Sequence, residues 1–532
     1  MPRCSTRPRL ASSASASRTR SRPRSTDSEE GGGMAVMSDN LARERLAVGV
    51  SELGKRLKTV TRREDYDQGK QDLPFAPYGA SAEYQDLREQ APANMLGIAI
   101  SAPTQRMRAD SIKTSLSEAE EAALWAGAWQ ANKMDTRQDL VYRSMMLHGR
   151  GIVSVWPNLA NRAKPIVRPE SYARVHVAMD PDDPFTPLYA VKTWMIDTSP
   201  ENGLILPASV TRTVQVGIVY DAESMIRFER PSSGGVWEKR AESLHPMRRV
   251  PFALYDYQPD ANGNPRSAID PLIPQQDALN TIRFNTLLAM QFAAFRQKIV
   301  TGFDPRVTDA DGNIVYKTNP DGTPLVDGNG RMQPLIQSPG NVGVDKLLAF
   351  PGSDTKVWDL PESNLSNYVD IWDMFLTTFF STAQIPPQYQ LGQMVNLSGD
   401  ALTAAESTLA SLVKELQLAA GEGHEDMLEL AYYASGGTED FAPTAEMDWL
   451  DAEARSFSQV VDGVQKLIAT GFPKRAAYEM LPGATKTKLD DWMDQVDEER
   501  FNTRLSQITR SFADVTPAVT AGAPDDAALS GG

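Results

Sequence analysis

The chain has 532 residues, of which 41% are hydrophobic and 23% charged, so it is long enough for about three or four domain-sized units with a sizeable core. Its net charge of -15 argues against a protein that wraps nucleic acid, because neutralising phosphates requires clustered Lys and Arg. The sequence contains no apolar run of about 18 residues, so no membrane span is predicted. Its single cysteine, Cys4, excludes a disulfide framework and a thiolate zinc site.

The N-terminal segment differs from the rest of the chain. Residues 1–33 are rich in Arg, Ser and Pro, with seven arginines against three acidic residues. A transit peptide has a similar composition, but the purine-rich codons that "EEGGGM" implies would suit a translated ribosome-binding site. We therefore expect translation to start at Met34 or Met37, and residues 1–40 to be either disordered or foreign to the native protein.

Three helical segments precede the first strands. Residues 41–58 form an amphipathic pattern, and a polar connector follows. Further on, Ser115-x-x-Glu118 and Ser117-x-x-Glu120 predict capping boxes, and Asp135 is expected to cap the next helix. The helix after the capping boxes places four apolar residues on one face, which predicts core packing: Leu124, Trp125, Ala128 and Trp129.

Six strand-like runs lie between residues 151 and 230, separated by Gly, Pro, Asp and Asn turns, and they predict a mixed sheet. His176 lies in one of these runs without a metal-ligand partner at a suitable spacing, so it is interpreted as a packed or surface imidazole. His148 and His424 are interpreted as helix-end or surface residues.

A helix is predicted for residues 267–302, with apolar residues spread so widely that several sides should be buried. Residues 303–361 form a turn-dense insertion in which Asp-Gly pairs at 311, 321 and 327 mark hairpins. A calcium loop counted from Asp309 would need Gly at its sixth position and Glu at its twelfth, where Ile314 and Pro320 stand, so no calcium site is predicted.

A second long helix is predicted for residues 363–384. One of its stripes is polar and contains no cation: Ser366, Asp370, Asp373, Thr377 and Ser381. The neighbouring stripe is apolar and consists of Leu365, Val369, Trp372, Leu376 and Phe379. From this stripe alone, an ordinary solvated helix surface is the favoured interpretation. A polar loop with two prolines follows at 385–398, and then a third long helix begins.

The order of these parts resembles the portal, or head-to-tail connector, protein of tailed double-stranded DNA bacteriophages, of the siphophage type. The resemblance covers roughly residues 66–501. Its most specific segments are "LVYRSMMLHGRGIVSVWP", "PLIPQQDALNTIRFNTLLAMQFAAFRQKIVTGFD" and "IPPQYQLGQMVNLSGDALTAAES". None of them is a catalytic signature.

The resemblance implies an α+β portal fold that assembles as a ring, usually a dodecamer. The implied parts are an N-terminal wing (41–265), a first stem helix (266–302), a clip (303–361), a second stem helix (362–384), a tunnel loop (385–398), a long wing helix (399–438), crown helices (439–510) and a disordered tail (511–532). The ring would be located in the virion at one capsid vertex, after assembly in the host cytoplasm.

The resemblance also implies functional residues and partners. The polar stripe of the second stem helix would line a channel for double-stranded DNA during packaging and ejection, since carboxylates do not hold phosphates. The tunnel loop would touch DNA weakly through Gln388, Tyr389, Gln390, Gln393, Met394 and Asn396. Tyr316, Lys317 and Arg331 of the clip would dock the terminase large subunit and a head-completion or adaptor protein. Major capsid and scaffold proteins are further expected partners.

Other classes of protein remain open from the sequence. A capsid or scaffold protein would share the acidic composition and the lack of active-site motifs. A hydrolase is less favoured, because the sequence contains no phosphate loop, no G-x-S-x-G, no H-E-x-x-H and no G-x-G-x-x-G. No cofactor, metal or membrane association is predicted.

Overall fold

A computed structural model describes most of the chain. The described residues are 35–79, 81–197, 213–294, 298–301, 304–336, 356–359, 365–386, 389, 399–438, 444–450, 457–481, 483–484 and 486–513. They combine long helices with several small sheets, so the predicted α+β class is confirmed.

The helices in chain order are α1 (Asp39–Asp67), α2 (Ala82–Gln90), α3 (Leu96–Thr104), α4 (Glu118–Leu124), α5 (Met134–His148), α6 (Ile273–Ala294), α7 (Ser366–Thr382), α8 (Gly399–Ser435), α9 (Phe457–Ala469), α10 (Lys474–Glu479) and α11 (Lys486–Ala513). The strands are β1 (Ala109–Lys113), β2 (Arg150–Trp156), β3 (Ile166–Glu170), β4 (Val175–Met179), β5 (Pro187–Asp197), β6 (Thr213–Tyr220), β7 (Ser224–Pro231), β8 (Glu238–Leu244), β9 (Phe252–Asp256), β10 (Lys298–Thr301), β11 (Lys356–Asp359) and β12 (Glu446–Trp449).

Helix α1 lies across a five-stranded antiparallel sheet with the order β4-β5-β6-β7-β8. Two glycines allow this close approach. A Cβ on Gly49 would lie 2.6 Å from the Cβ of Val191, and a Cβ on Gly217 would lie 2.8 Å from Cδ1 of Leu46. The absence of side chains at these positions lets the helix backbone approach the sheet.

A second sheet has the order β3-β2-β9, and helices α5 and α8 pack against it to form the main core. A third consists of β1 paired with β12, two strands far apart in the sequence. Helices α9, α10 and α11 follow β12, and α10 packs against both of the others.

The N-terminal part of the fold begins earlier than predicted. Residues 35–40 were expected to belong to the extension, but the amide of Ala35 donates to Glu223 and that of Met37 donates to the hydroxyl of Ser224. Met37 is buried against the five-stranded sheet. Helix α1 also continues to Asp67 through residues that were predicted to be a connector.

Helix starts near residues 115–135 were predicted only in part. The Ser117–Glu120 capping box is present, whereas α4 begins after Ser117, so Ser115 does not cap it. The next six residues, 125–130, widen into a π-helical segment, in which Trp125 and Trp129 stack with their ring centroids 4.5 Å apart. Asp135 is not the cap of α5, because the helix begins at Met134 and its N-cap residue is Lys133. The carboxylate of Asp135 accepts a 2.7 Å hydrogen bond from the indole of buried Trp129.

The sheets also differ from the prediction. All strand pairs in the described ranges are antiparallel, not mixed. The predicted helix 267–302 is helix α6 followed by strand β10, since residues 298–301 pair with β11. The segment 439–510 is not entirely helical, because Glu446–Trp449 forms strand β12, and the final helix extends to Ala513.

His148 and His424 were interpreted as helix-end or surface residues, which is right for His148 and wrong for His424. His148 does end α5, but its side chain is buried and stacks on the ring of Tyr172. His424 lies in the middle of α8 and is fully buried. Neither is a surface residue.

Candidate functional site

Buried amides hold the start of α6 against the N-terminal region. The side-chain oxygen of Gln276 accepts from the amides of Met95 (3.1 Å) and Leu96 (3.2 Å), and its nitrogen donates to the carbonyl of Ala93 (2.7 Å). Asn280 donates to Gln71 at 2.7 Å. Because Met95 offers no side-chain cap, Gln276 caps α3 from another helix.

The next face of α6 carries a partly buried cluster around Tyr66. Its hydroxyl donates to Asp277 (2.7 Å), and a carboxylate oxygen of Asp72 lies 3.0 Å from the same hydroxyl. Burial raises the pKa of Tyr66 and, with Asp72 nearby, that of Asp277. These contacts fix α6 to α1 and to the segment that follows α1.

Helix α7 pairs with α6 and buries only one of its faces. Leu376, Phe379 and Phe380 are buried, and Trp372 is half-buried. Two members of the predicted apolar stripe lie outside this core, since Val369 is 55% exposed and Leu365 is only partly buried. The first turns of α7 therefore extend beyond the packed core.

The predicted polar stripe lies on the surface. All five of its side chains are exposed: Ser366, Asp370, Asp373, Thr377 and Ser381. At about 100° per residue the stripe is separated from the buried face by roughly a third of a turn. A third face of α7 is apolar and also exposed, with Ile371, Met374 and Phe375 retaining 42%, 59% and 36% of their exposure.

The insertion between α6 and α7 is closed at its base by the pair β10–β11. Within it, residues 304–336 form three hairpins, bridged at Thr308–Ile314, Thr318–Pro324 and Val326–Met332. Gly312, Gly322 and Gly330 take positive φ angles of 85°, 84° and 77° at their turns. The predicted hairpins are confirmed.

The strands of the three hairpins are joined in two closed rings of backbone hydrogen bonds. In one, Val315 donates to Val307, Val307 to Leu335, and Leu335 to Val315. The other ring joins Lys317, Leu325 and Gln333 in the same way. No side chain of residues 304–336 is buried, and the candidate docking residues Tyr316, Lys317 and Arg331 are all exposed.

Most of the predicted loop at 385–398 lies outside the described residues, including Gln388, Gln390, Gln393, Met394 and Asn396. Tyr389 is described, and its hydroxyl lies 3.5 Å from a guanidinium nitrogen of Arg106. The same guanidinium makes two 3.3 Å hydrogen bonds to the carboxylate of Glu406 on α8. Arg106 therefore contacts the chain on both sides of residues 390–405, which the sequence did not indicate.

The buried His424 joins three elements. Its Nε2 lies 2.7 Å from the hydroxyl of Tyr142 on α5, and its Nδ1 lies 2.9 Å from that of Tyr255 on β9. Tyr142 donates to Gln138 (3.0 Å), so its oxygen accepts from Nε2–H, and Nδ1 accepts from Tyr255. Burial lowers the pKa of His424 to about 3, so the imidazole is neutral.

A signal for this packing was present in the sequence. Gly421 and Gly423 stand inside α8, and a Cβ on Gly423 would lie 2.5 Å from the ring of Tyr255. Glu425 lies one turn after Gly421 on the same helix. Burial and the neighbouring Glu422 raise the pKa of Glu425 to about 7.

Neither a metal centre nor a membrane-spanning helix is present in the described part of the chain. No group of three or more His, Cys, Asp and Glu side chains there is placed to hold a metal ion. No helix of those ranges has both the length and the apolar character that crossing a bilayer requires.

Comparison with known proteins identifies the family. The sequence model described as "Phage portal protein, SPP1 Gp6-like" matches residues 51–500. The chain belongs to this portal protein family. Two curated relatives are the portal proteins of Mycobacterium phages L5 and D29, each 22% identical over 374 residues, which cover 67% of this chain and 68% of the relative. A solved structure titled "Virion of native gene transfer agent (GTA) particle" has a TM-score of 0.39 at 12% identity, covering 80% of this chain and all of that one.

Membership decides between the classes that the sequence left open. Of those classes, the family match supports the portal, because the family model and both curated relatives are described as portal proteins. The resemblance to phage portal proteins and the predicted α+β portal fold are confirmed.

Proposed function

We propose that many copies of this portal protein, twelve in the virion, close into a ring at one capsid vertex and form the channel through which genomic DNA is packaged and ejected. In this arrangement α6 and α7 are the stem, residues 303–361 the clip, and α8 with the N-terminal sheets the wing. Helices α9–α11 are the crown. The ring assembles in the host cytoplasm before it becomes part of the virion.

The observation that supports a channel is the division of α7 into three faces. One face is buried against its own chain, one carries Asp370 and Asp373 without any cation, and one is apolar and exposed. A single chain leaves the apolar face in water, whereas a ring of copies covers it with a neighbour and turns the acidic face inward.

The acidic face suits a duplex that must slide. DNA carries one negative charge per about 1.7 Å of axis, and rings of carboxylates repel it from every side without offering a binding well. Screening within about 8 Å at physiological salt keeps this repulsion local, so it centres the duplex without blocking it.

The remaining predicted contacts belong to the same proposal. The loop at 385–398 acts as a weak collar around DNA, through the amides of Gln388, Gln390, Gln393 and Asn396 and the soft contact area of Tyr389 and Met394. The three-hairpin unit, residues 304–336, docks the terminase large subunit and then a head-completion or adaptor protein. Its exposed Tyr316, Lys317 and Arg331 are the candidate contacts. Capsid and scaffold proteins bind outside the channel.

Negative-stain microscopy of the purified full chain tests the ring, and particles with a central hole are expected.

The lining is tested by Asp370→Lys with Asp373→Lys, because inward cations would bind phosphates and slow DNA movement. Less packaged DNA per particle is expected, with ring formation unchanged. Asp494→Lys, at an exposed carboxylate on α11, is the control. Normal packaging by the α7 variant would refute the lining, and a compact single-copy protein would refute the ring.

A further inference from the structure

Two aromatic side chains project into solvent just after α1. Phe75 is 84% exposed and Tyr78 is fully exposed, which makes them the most exposed aromatic residues of the described ranges. Exposure of this extent on neighbouring large side chains is costly in water and typical of an interaction site.

The residues that lead into the aromatic pair are held in place up to Pro74. Before the aromatic pair, Gln71 accepts from Asn280, and a carboxylate oxygen of Asp72 lies 3.0 Å from the hydroxyl of Tyr66. Pro74 is buried, and its carbonyl accepts from the guanidinium of Arg88 on α2. Anchoring up to Pro74 fixes the point from which Phe75 projects, so less conformational entropy is lost on binding than from a loop without such anchors.

The same chain contains a matching cavity. A cavity of about 360 Å³ lies where the end of α7 meets the start of α6. Its floor is buried and apolar, formed by Ile100, Met146, Leu272 and Leu412. Its rim is exposed and polar and includes Gln258 and Gln384. An apolar floor suits the ring of Phe75, and amides at the rim suit the hydroxyl of Tyr78.

The aromatic pair and the cavity lie on opposite sides of α6. Gln275 donates to Thr382 on the cavity side, while Asp277 accepts from Tyr66 on the side of the aromatic segment. Residues two apart on a helix project about 200° from each other. Neither Phe75 nor Tyr78 lines the cavity of its own chain.

We propose that Phe75 and Tyr78 of one copy insert into this cavity of the next copy, which is lined by the segment before α6, the end of α7 and the neighbouring helices α3, α5 and α8. A projection on one side and a recess on the other side of the same chain define a head-to-tail interface, which closes into a ring when the rotation per copy allows it. The inference rests on the proposed ring and names the contact that builds it.

Cross-linking tests the contact directly. In a full chain with Cys4→Ser, which removes the only native cysteine, Phe75→Cys and Gln384→Cys are combined and treated with a short bismaleimide. A ladder of covalent oligomers extending beyond the dimer is expected. Each single-cysteine variant, and the pair Leu159→Cys with Gln384→Cys, is the control, since Leu159 is 92% exposed elsewhere. Products that stop at dimers, or no specific products, would overturn the head-to-tail contact.

Assembly gives a second readout. Phe75→Ala with Tyr78→Ala should raise the protein concentration at which half of the chains are in rings by about 30-fold or more, as removal of an interface hot spot does. The exposed control Leu159→Ala with Val236→Ala should leave it unchanged. Rings that form in the wild type and are insensitive to the aromatic pair would refute this inference alone. A wild type without rings would refute the proposed function itself.

Discussion

At the residue scale, His424 shows how one neutral imidazole orients a core. Its two nitrogens play opposite roles, so the hydrogen bonds run in one direction from Tyr255 through His424 and Tyr142 to Gln138. Gln138 in turn accepts from the amide of Ala109 at the start of β1. The chain of bonds thus links β9, α8, α5 and β1, and it is satisfied only with the imidazole neutral.

His424→Phe tests this relay. The substitution keeps an aromatic ring but leaves the buried hydroxyl of Tyr255 without its acceptor, so we expect a loss of about 3 kcal/mol in the free energy of unfolding. Tyr255→Phe should cost only about 1 kcal/mol. In the double variant the second change should add almost nothing. Denaturant unfolding at one fixed protein concentration measures all three, and additive losses would contradict the relay.

At the element scale, α1 could be predicted from its pattern, but its docking could not. The apolar spacing of residues 41–58 indicates a helix, while nothing in the sequence says which strands it crosses. Gly49 packs on Val191, and 142 residues separate them in the chain. A glycine inside a helix is a weak signal of close packing, since a methyl group added to Gly54 of the same helix would have no neighbour within 4 Å.

The two glycines therefore predict opposite effects. Gly49→Ala forces the new methyl group into Val191, and we expect a loss of about 1–3 kcal/mol despite the better helix propensity of Ala. Gly54→Ala meets open space and should gain about 0.5–1 kcal/mol. Midpoints of denaturant unfolding compare the two variants directly. Equal effects of both substitutions would show that α1 is not pressed onto the sheet at Gly49.

The anchoring of α6 gives a second prediction for an element. Gln276→Leu removes the cap of α3 and leaves the amides of Met95 and Leu96 without acceptors, so a loss of about 2–4 kcal/mol is expected. Gln275→Leu, one residue away on the side facing Thr382, should change stability by less than about 1 kcal/mol. Hydrogen exchange at Met95 and Leu96 should accelerate in the first variant only; unchanged protection there would argue against the cap.

At the scale of the whole molecule, the sequence predicted long periodic elements and missed long-range pairing. The stripes of α7 and the hairpin turns follow from local spacing, which is visible in a short window. The pairing of β1 with β12 joins residues 109–113 to residues 446–449, and two short strands have no local feature that selects a partner. His424 was missed for the same reason, since its acidic neighbours suggest a surface and only the packed fold buries it.

All four histidines contribute to one property of the whole molecule, its stability towards acid. Burial lowers the pKa of His148 and His424 to about 3 and that of His176 to about 4, and it also lowers the pKa of His245. Nearby Arg63 and Arg56 lower the pKa of His148 further. In the unfolded chain the pKa of each histidine is about 6.5. Below that pH the unfolded state binds more protons than the folded state, so stability is complete above about pH 6.5 and is lost as the pH falls.

Glu425 acts in the opposite direction. Its pKa is raised to about 7 in the folded state, so its contribution is complete below about pH 4.5 and is lost as the pH rises through 7. Four histidines oppose this single glutamate. Below the pKa of the unfolded imidazole, each histidine lowers the free energy of unfolding by about 1.4 kcal/mol for every pH unit of acidification. For His148 and His424 together, we expect a loss of about 3 kcal/mol between pH 6.5 and 5, reduced in part by Glu425.

Denaturant midpoints measured between pH 7.5 and 5 test this balance. Glu425→Gln removes the opposing group, so the loss on acidification should become steeper than in the wild type. His424→Phe removes one histidine from the sum, so the loss should become shallower, although the variant is less stable at every pH. If both variants keep the wild-type slope, protons taken up by these buried groups do not control the acid stability of the fold.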